Sequence, residues 1–100
     1  MLRFEQIQEI VLLKAKKIGF SEPIIRRAAE LSLLIKHKTG HRGAMTAAAL
    51  YVASKEKGEF ITQRIIRDEF GFSEVTLRRH IKAINEEKEK SLYNIKIPLI

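Results

Sequence analysis

Apolar residues recur along this chain at helical spacing, and turn residues punctuate them. From about Leu2 to Lys17, Phe4, Ile7, Val11, Ala15 and Ile18 share one stripe, which Ile10 and Leu13 widen. Lys14, Lys16 and Lys17 suit the negative end of that helix, and Gly19 stops it. Ser21 can cap a second helix, with Pro23 in the first turn, where a missing N–H is tolerated. Ile24, Ala28, Leu31 and Ile35 form its inward stripe. The stretch "HKTGHRG" then breaks the pattern with Gly40 and Gly43. "AMTAAALYVAS" follows and is apolar nearly all round, as in a helix buried on most sides. Ala47, Ala48 and Ala49 let neighbouring helices come close, and Gly58 ends the run.

The pattern continues with a fourth helix capped by Thr62, with Ile65, Ile66 and Phe70 inward. Gly71 makes a turn, Ser73 caps a fifth helix, and Glu74 is favourable in its first turn. That helix is expected to fray among Glu86 to Lys90, and the tail "SLYNIKIPLI", with Pro98, to be extended. The expectation is an all-α domain of five helices around a buried third helix. Residues 1–90 form the domain, 62–88 a helix-turn-helix, and 91–100 the tail. The predicted core includes Ile7, Val11, Leu31, Ala48, Tyr51, Val52, Ile65, Leu77 and Ile81.

Composition narrows the function classes. One hundred residues, 45% of them hydrophobic, suit a single domain with one core. With no cysteine there is no disulfide, thiolate metal site or cysteine nucleophile. No apolar run reaches membrane-spanning length, and residues 1–18 are broken by charges, so a soluble, intracellular chain is expected. His37 and His41 have the spacing of a metal pair, but Gly40 lies between them and no third ligand is evident, so no metal or cofactor is expected. His80 reads as structural, and Asp68-Glu69 as a helix-end acidic pair. No catalytic set stands out, and an enzyme is not expected.

Charge then points to a partner. The net charge of +7 favours polyanions, nucleic acid first. Residues 1–58 hold 11 Lys and Arg against 5 Asp and Glu, whereas residues 59–90 hold 7 against 7. The last two helices are therefore neutral overall, and their case rests on which face carries the charge. On the fifth helix Leu77, Ile81 and Ile84 fall on one side, and Val75, Arg78, Arg79 and Lys82 on the other. A recognition helix places such residues against DNA. Arginine can bond guanine through two parallel hydrogen bonds, valine can touch a thymine methyl, and lysine suits phosphate. A solvated amphipathic helix is the competing reading. Lys36, Lys38 and Arg42 make a second basic cluster, which can grip phosphate or form a charged surface loop.

The series "AAALYVAS" (47–54), "TQR" (62–64) and "GFSEVTLRR" (71–79), closing on "NIKIPLI", resembles in order and spacing the second cyclin-like repeat of the archaeal transcription initiation factor B family. That family is the counterpart of eukaryotic general factor IIB. The resemblance covers nearly the whole chain and is strongest over 44–84. It implies a five-helix cyclin-like domain whose helix-turn-helix reads the B recognition element upstream of the TATA box, together with TATA-binding protein. It implies base reading by Val75 and Arg78. Base or phosphate contact is expected of Arg79, which stands where relatives often have a polar, uncharged residue, and phosphate contact of Gln63. Lys82, Lys38 and Arg42 are expected on phosphate. Contacts to RNA polymerase are expected through regions outside this chain, and the location in the cytoplasm with the nucleoid, or the nucleus of a eukaryote. The alternatives are a stand-alone helix-turn-helix regulator and a cyclin-like interaction module without DNA contacts.

Overall fold

A computed structural model of the protein describes residues 4–35, 42–59 and 63–96. Five helices follow one another: α1 (Phe4–Lys17), α2 (Glu22–Leu34), α3 (Arg42–Glu56), α4 (Gln63–Phe70) and α5 (Glu74–Lys96). There is no strand among the described residues. The arrangement is the expected all-α, five-helix domain and is consistent with a cyclin-like one.

The alanine-rich helix sits at the centre, as its composition requires. α3 packs most extensively on α2 and α5, and also touches α1 and α4. Ala44, Met45 and Ala47 through Leu50 have no exposed surface, and Val52 and Ala53 are buried with them. A run of alanines lets helix axes approach closely, and α3 packs against all four other helices. Around it close Val11 and Ala15 of α1, Ile24, Ala28 and Leu31 of α2, Ile66 of α4, and Leu77, Ile81 and Ile84 of α5. Ile35 and Phe20, from the connections, complete the cluster. Tyr51 is only partly buried and packs on the edge of the cluster.

The stripes are narrower than their apolar residues suggest. Ile10, Leu13 and Ile18 are exposed, at 56%, 53% and 39%. α1 meets only α2 and α3 as substantial neighbours, so one strip of its surface is covered and the widening residues are not. With Lys14 and Lys17, the three line an open hollow of about 520 Å³. Ile65, expected in the core, is 43% exposed, and its neighbour Ile66 is buried. Consecutive helical residues point about 100° apart, so a two-turn helix seated on one side can bury only one of them. Phe4 and Ile7 bear side chains outside the described set.

Turns and ends follow local chemistry with three corrections. Gly19, Gly58 and Gly71 all have positive φ, where other residues are strained. Ser21 holds the N-cap position of α2, but its hydroxyl makes no capping hydrogen bond. Pro23 already lacks the N–H that a cap would satisfy, and the Ile25 N–H donates to the Ser21 carbonyl at 3.1 Å. Gly43, read as a breaker, lies inside α3 and is buried. α5 does not end near Lys90 but continues to Lys96, so the extended tail is not found over 91–96, and 97–100 lie outside the described residues. The stretch after Glu86 is rich in Glu and Lys, good helix formers, and Lys90 lies 3.5 Å from Glu87 one turn back. Thr62 lies outside the described residues.

Polar ties cross the helices. Arg27 of α2 donates from Nε to Glu56 Oε1 at 2.6 Å and from its terminal nitrogen to Oε2 at 3.2 Å. Lys88 of α5 reaches the same carboxylate at 2.6 Å. One acid near the end of the central helix thus holds three helices together. The Arg27 hydrogen bonds, opposed by burial and helped by Lys88, pull the Glu56 carboxyl down to about 2. A carboxyl held below its unfolded value of 4.5 stabilises the fold fully above that pH, and the gain is lost as pH falls toward 2. With solvent screening, about 1 kcal/mol is expected to disappear in that window. Urea midpoints at about pH 6 and about pH 3 should show a larger loss for the native chain than for Glu56→Gln. Equal losses would mean that Glu56 does not titrate with folding.

Candidate nucleic-acid interface

The last two helices meet at a three-residue connection, 71–73, whose geometry is set residue by residue. Gly71 takes φ +77, and its N–H donates to the Arg67 carbonyl at 2.7 Å, closing α4. No atom crowds the place of a Cβ there, so backbone conformation alone asks for glycine. Ser73 then opens α5: its Oγ accepts from the Thr76 N–H at 3.2 Å, and its carbonyl accepts from the Leu77 N–H at 3.0 Å. This is the expected serine cap. His80 is buried, with Nδ1 2.8 Å from the Thr76 carbonyl, which gives that ring nitrogen the proton. The structural role read for it stands.

α5 divides cleanly. Leu77 and Ile84 have no exposed surface and Ile81 is 9% exposed, all inside the cluster. On the other side Val75 is 66% exposed, and Arg78, Arg79 and Lys82 are exposed. A valine two-thirds in water costs apolar surface that packing does not recover. The structure thus brings four of the seven expected site residues, Val75, Arg78, Arg79 and Lys82, onto one face. Lys38 lies outside the described residues, as do His37 and His41, and the side chains of Arg42 and Gln63 lie outside the described set. No group of His, Asp or Glu among the described residues could hold a metal.

Two features of this face are absent from the sequence reading. Glu74, read there only as favourable in the first turn of its helix, flanks the basic patch: its carboxylate is 3.4 Å from Arg78 and 3.3 Å from Arg67 of α4. Arg67 in turn lies 3.2 Å from Asp68, and Arg64 lies 4.0 Å from Asp68. The Glu74–Arg78 pair has the favourable i,i+4 order and was open to recognition from spacing alone. The Arg67–Glu74 link crosses a turn, so helical periodicity does not report it. Lys14 of α1 lies 5.4 Å from the centre of the Phe70 ring, which ties the end of α4 back to the first helix. The result is a rigidly seated helix that presents a valine and cations to solvent, beside a second helix that also carries exposed arginine.

Comparison with known proteins gives a consistent set of relatives. The chain is 34% identical over 93 residues to transcription initiation factor IIB 1 of Thermococcus kodakarensis, covering 85% of this chain and 28% of that one. It is 40% identical over 77 residues to transcription initiation factor IIB of Methanosarcina mazei, covering 75% and 21%. It is 36% identical over 90 residues to the factor of Pyrococcus furiosus, covering 85% and 28%. The chain thus spans about a quarter of the length of the curated relatives it matches. No family model and no solved structure matches it.

Proposed function

From a chain that is a piece like archaeal transcription initiation factor IIB, we propose that it is the second cyclin-like repeat of a general initiation factor. It is non-enzymatic and binds promoter DNA with TATA-binding protein, reading the B recognition element through α4 and α5. The observation that carries this reading is the exposed set of Val75, Arg78, Arg79 and Lys82 opposite a fully buried Leu77. Names of relatives bring transcription initiation; the face brings the contact.

In this mechanism α5 enters the major groove by its first turns, with α4 and the turn against the backbone. Arg78 bonds a guanine edge in parallel, and Val75 rests on a thymine methyl. Arg79 meets a base or a phosphate. Lys82, Lys38, Arg42 and Gln63 hold phosphates, and so fix register without reading sequence. Contacts to RNA polymerase fall outside these residues. Such a protein works in the cytoplasm with the nucleoid of an archaeon, or in a eukaryotic nucleus. No helix among the described residues is long and apolar enough to cross a membrane.

The test is a ternary complex with an archaeal TATA-binding protein on matched and scrambled upstream elements. Arg78→Ala is expected to cost about 1–3 kcal/mol on the matched DNA and much less on the scrambled one. Lys82→Ala is expected to weaken both alike. Equal weakening by Arg78→Ala makes Arg78 a phosphate contact and ends the base-reading assignment. No effect of either change favours an interaction module without DNA. Dimeric, symmetric binding without TATA-binding protein favours a stand-alone regulator.

A further inference from the structure

Neither Glu74 nor Arg67 has a part in the reading above, yet both belong to a line of alternating charge that ends on Arg78. Arg64, Asp68, Arg67, Glu74 and Arg78 follow one another at 4.0, 3.2, 3.3 and 3.4 Å. The line begins on α4, passes over the Gly71 turn and ends one turn into α5. We infer that Glu74, held from behind by Arg67, is the positioning residue that fixes the guanidinium of Arg78 on the exposed face. The inference rests on the proposal that Arg78 reads a base.

The physical case begins with entropy. A surface arginine samples many rotamers, and ordering it against a base edge opposes binding. A carboxylate one turn back along the helix narrows that sampling before DNA arrives. The contact runs from one terminal nitrogen of Arg78 to Glu74 Oε2, so the guanidinium keeps donors for a guanine. Glu74 needs its own anchor, or it would follow Arg78 rather than hold it. Arg67 supplies it across the turn, from Nη1 to Glu74 Oε1, while its Nε sits on Asp68. The same contacts place cations beside both carboxylates, which would otherwise repel phosphate on this face.

Magnitudes say where the effect should appear. Arg78 and Glu74 side chains are 67% and 40% exposed, and pairs this open contribute little to folding. Loss of the contact should therefore show in the order of Arg78 and in base discrimination, and scarcely in stability.

Two measurements test it. In the free full chain, the heteronuclear NOE of the Arg78 Nε–Hε group is expected to fall in Glu74→Gln and in Arg67→Gln. In the complex with TATA-binding protein, Glu74→Gln is expected to lower the matched-to-scrambled affinity ratio about three- to tenfold when Arg78 is present. In an Arg78→Ala background it is expected to leave the ratio unchanged, the coupling expected of residues in contact. An unchanged NOE overturns the inference whatever the DNA result. A ratio that falls equally in both backgrounds also overturns it, and makes Glu74 a base contact, such as an acceptor for a cytosine amino group. Equal tightening on both DNAs would reduce Glu74 to a phosphate-repelling charge. If the native chain shows no discrimination, base reading fails, and the NOE alone decides whether Glu74 holds Arg78.

Discussion

Leu77→Ala is expected to cost about 2–5 kcal/mol of folding stability, while Arg78→Ala, its neighbour, stays within about 0.5 kcal/mol. Leu77 has no exposed surface and lies in the core cluster with α3 residues and Ile81. Truncation removes apolar burial and leaves a cavity that a close-packed core refills only in part. Arg78 is exposed, and its side chain pairs with Glu74 across an open contact. Urea unfolding gives both numbers, with an unchanged slope showing that the unfolded state is not what moved. A loss below about 1 kcal/mol for Leu77→Ala would mean that α5 is not seated on α3 as described. Its outer face would then have no fixed orientation.

That contrast explains how much of the fold could be read from the chain. Leu77, Ile81 and Ile84 repeat at helical spacing between polar residues, so the period alone picks out the inner face. The outer face follows by elimination, and with it Val75, Arg78, Arg79 and Lys82. The central place of α3 is legible for another reason: a helix apolar on all sides has nowhere else to go. What periodicity cannot supply is the number of neighbours a helix has. Ile10 and Leu13 look like core on α1 because they are apolar and suitably placed, yet none of the described helices covers them. Ile65 and Ile66 look equivalent for the same reason. Ties between distant segments are also invisible locally. Gln8 donates to the Ala29 carbonyl at 3.2 Å and also to Ser32 Oγ, across the α1–α2 contact. Glu56 collects Arg27 and Lys88 from two other helices. Each of these residues reads in the sequence as ordinary surface polarity. The same blindness hid Arg67 and Glu74, the one part of the candidate site whose meaning lies in a contact across a turn.

The affinity of the chain for promoter DNA is expected to fall about 100-fold between about 50 mM and about 200 mM salt, with a log–log slope of about −3.6. The slope counts the phosphates neutralised, at roughly 0.9 per cation, so about four cations are implied. With Arg79 on phosphate, it and Lys82 supply two from the exposed face of α5. Lys38 and Arg42 supply the other two. Gln63 is uncharged and adds nothing to the slope, and Arg78 is spent on a base. Lys82→Ala should then lower the slope by about one, and the double change Lys38→Ala with Arg42→Ala by about two. Filter binding or fluorescence anisotropy across a salt series, on matched DNA with TATA-binding protein at saturation, measures all three. The double variant is the decisive arm, because charge alone cannot distinguish a phosphate grip from a solvated loop. If its slope equals that of the native chain, Lys38 and Arg42 stay in water, and the grip belongs to α4 and α5 alone. Arg64, on α4 with its side chain 78% exposed, is then the cation placed to replace them. A slope near zero for the native chain would remove phosphate contact altogether, and with it the DNA-binding role.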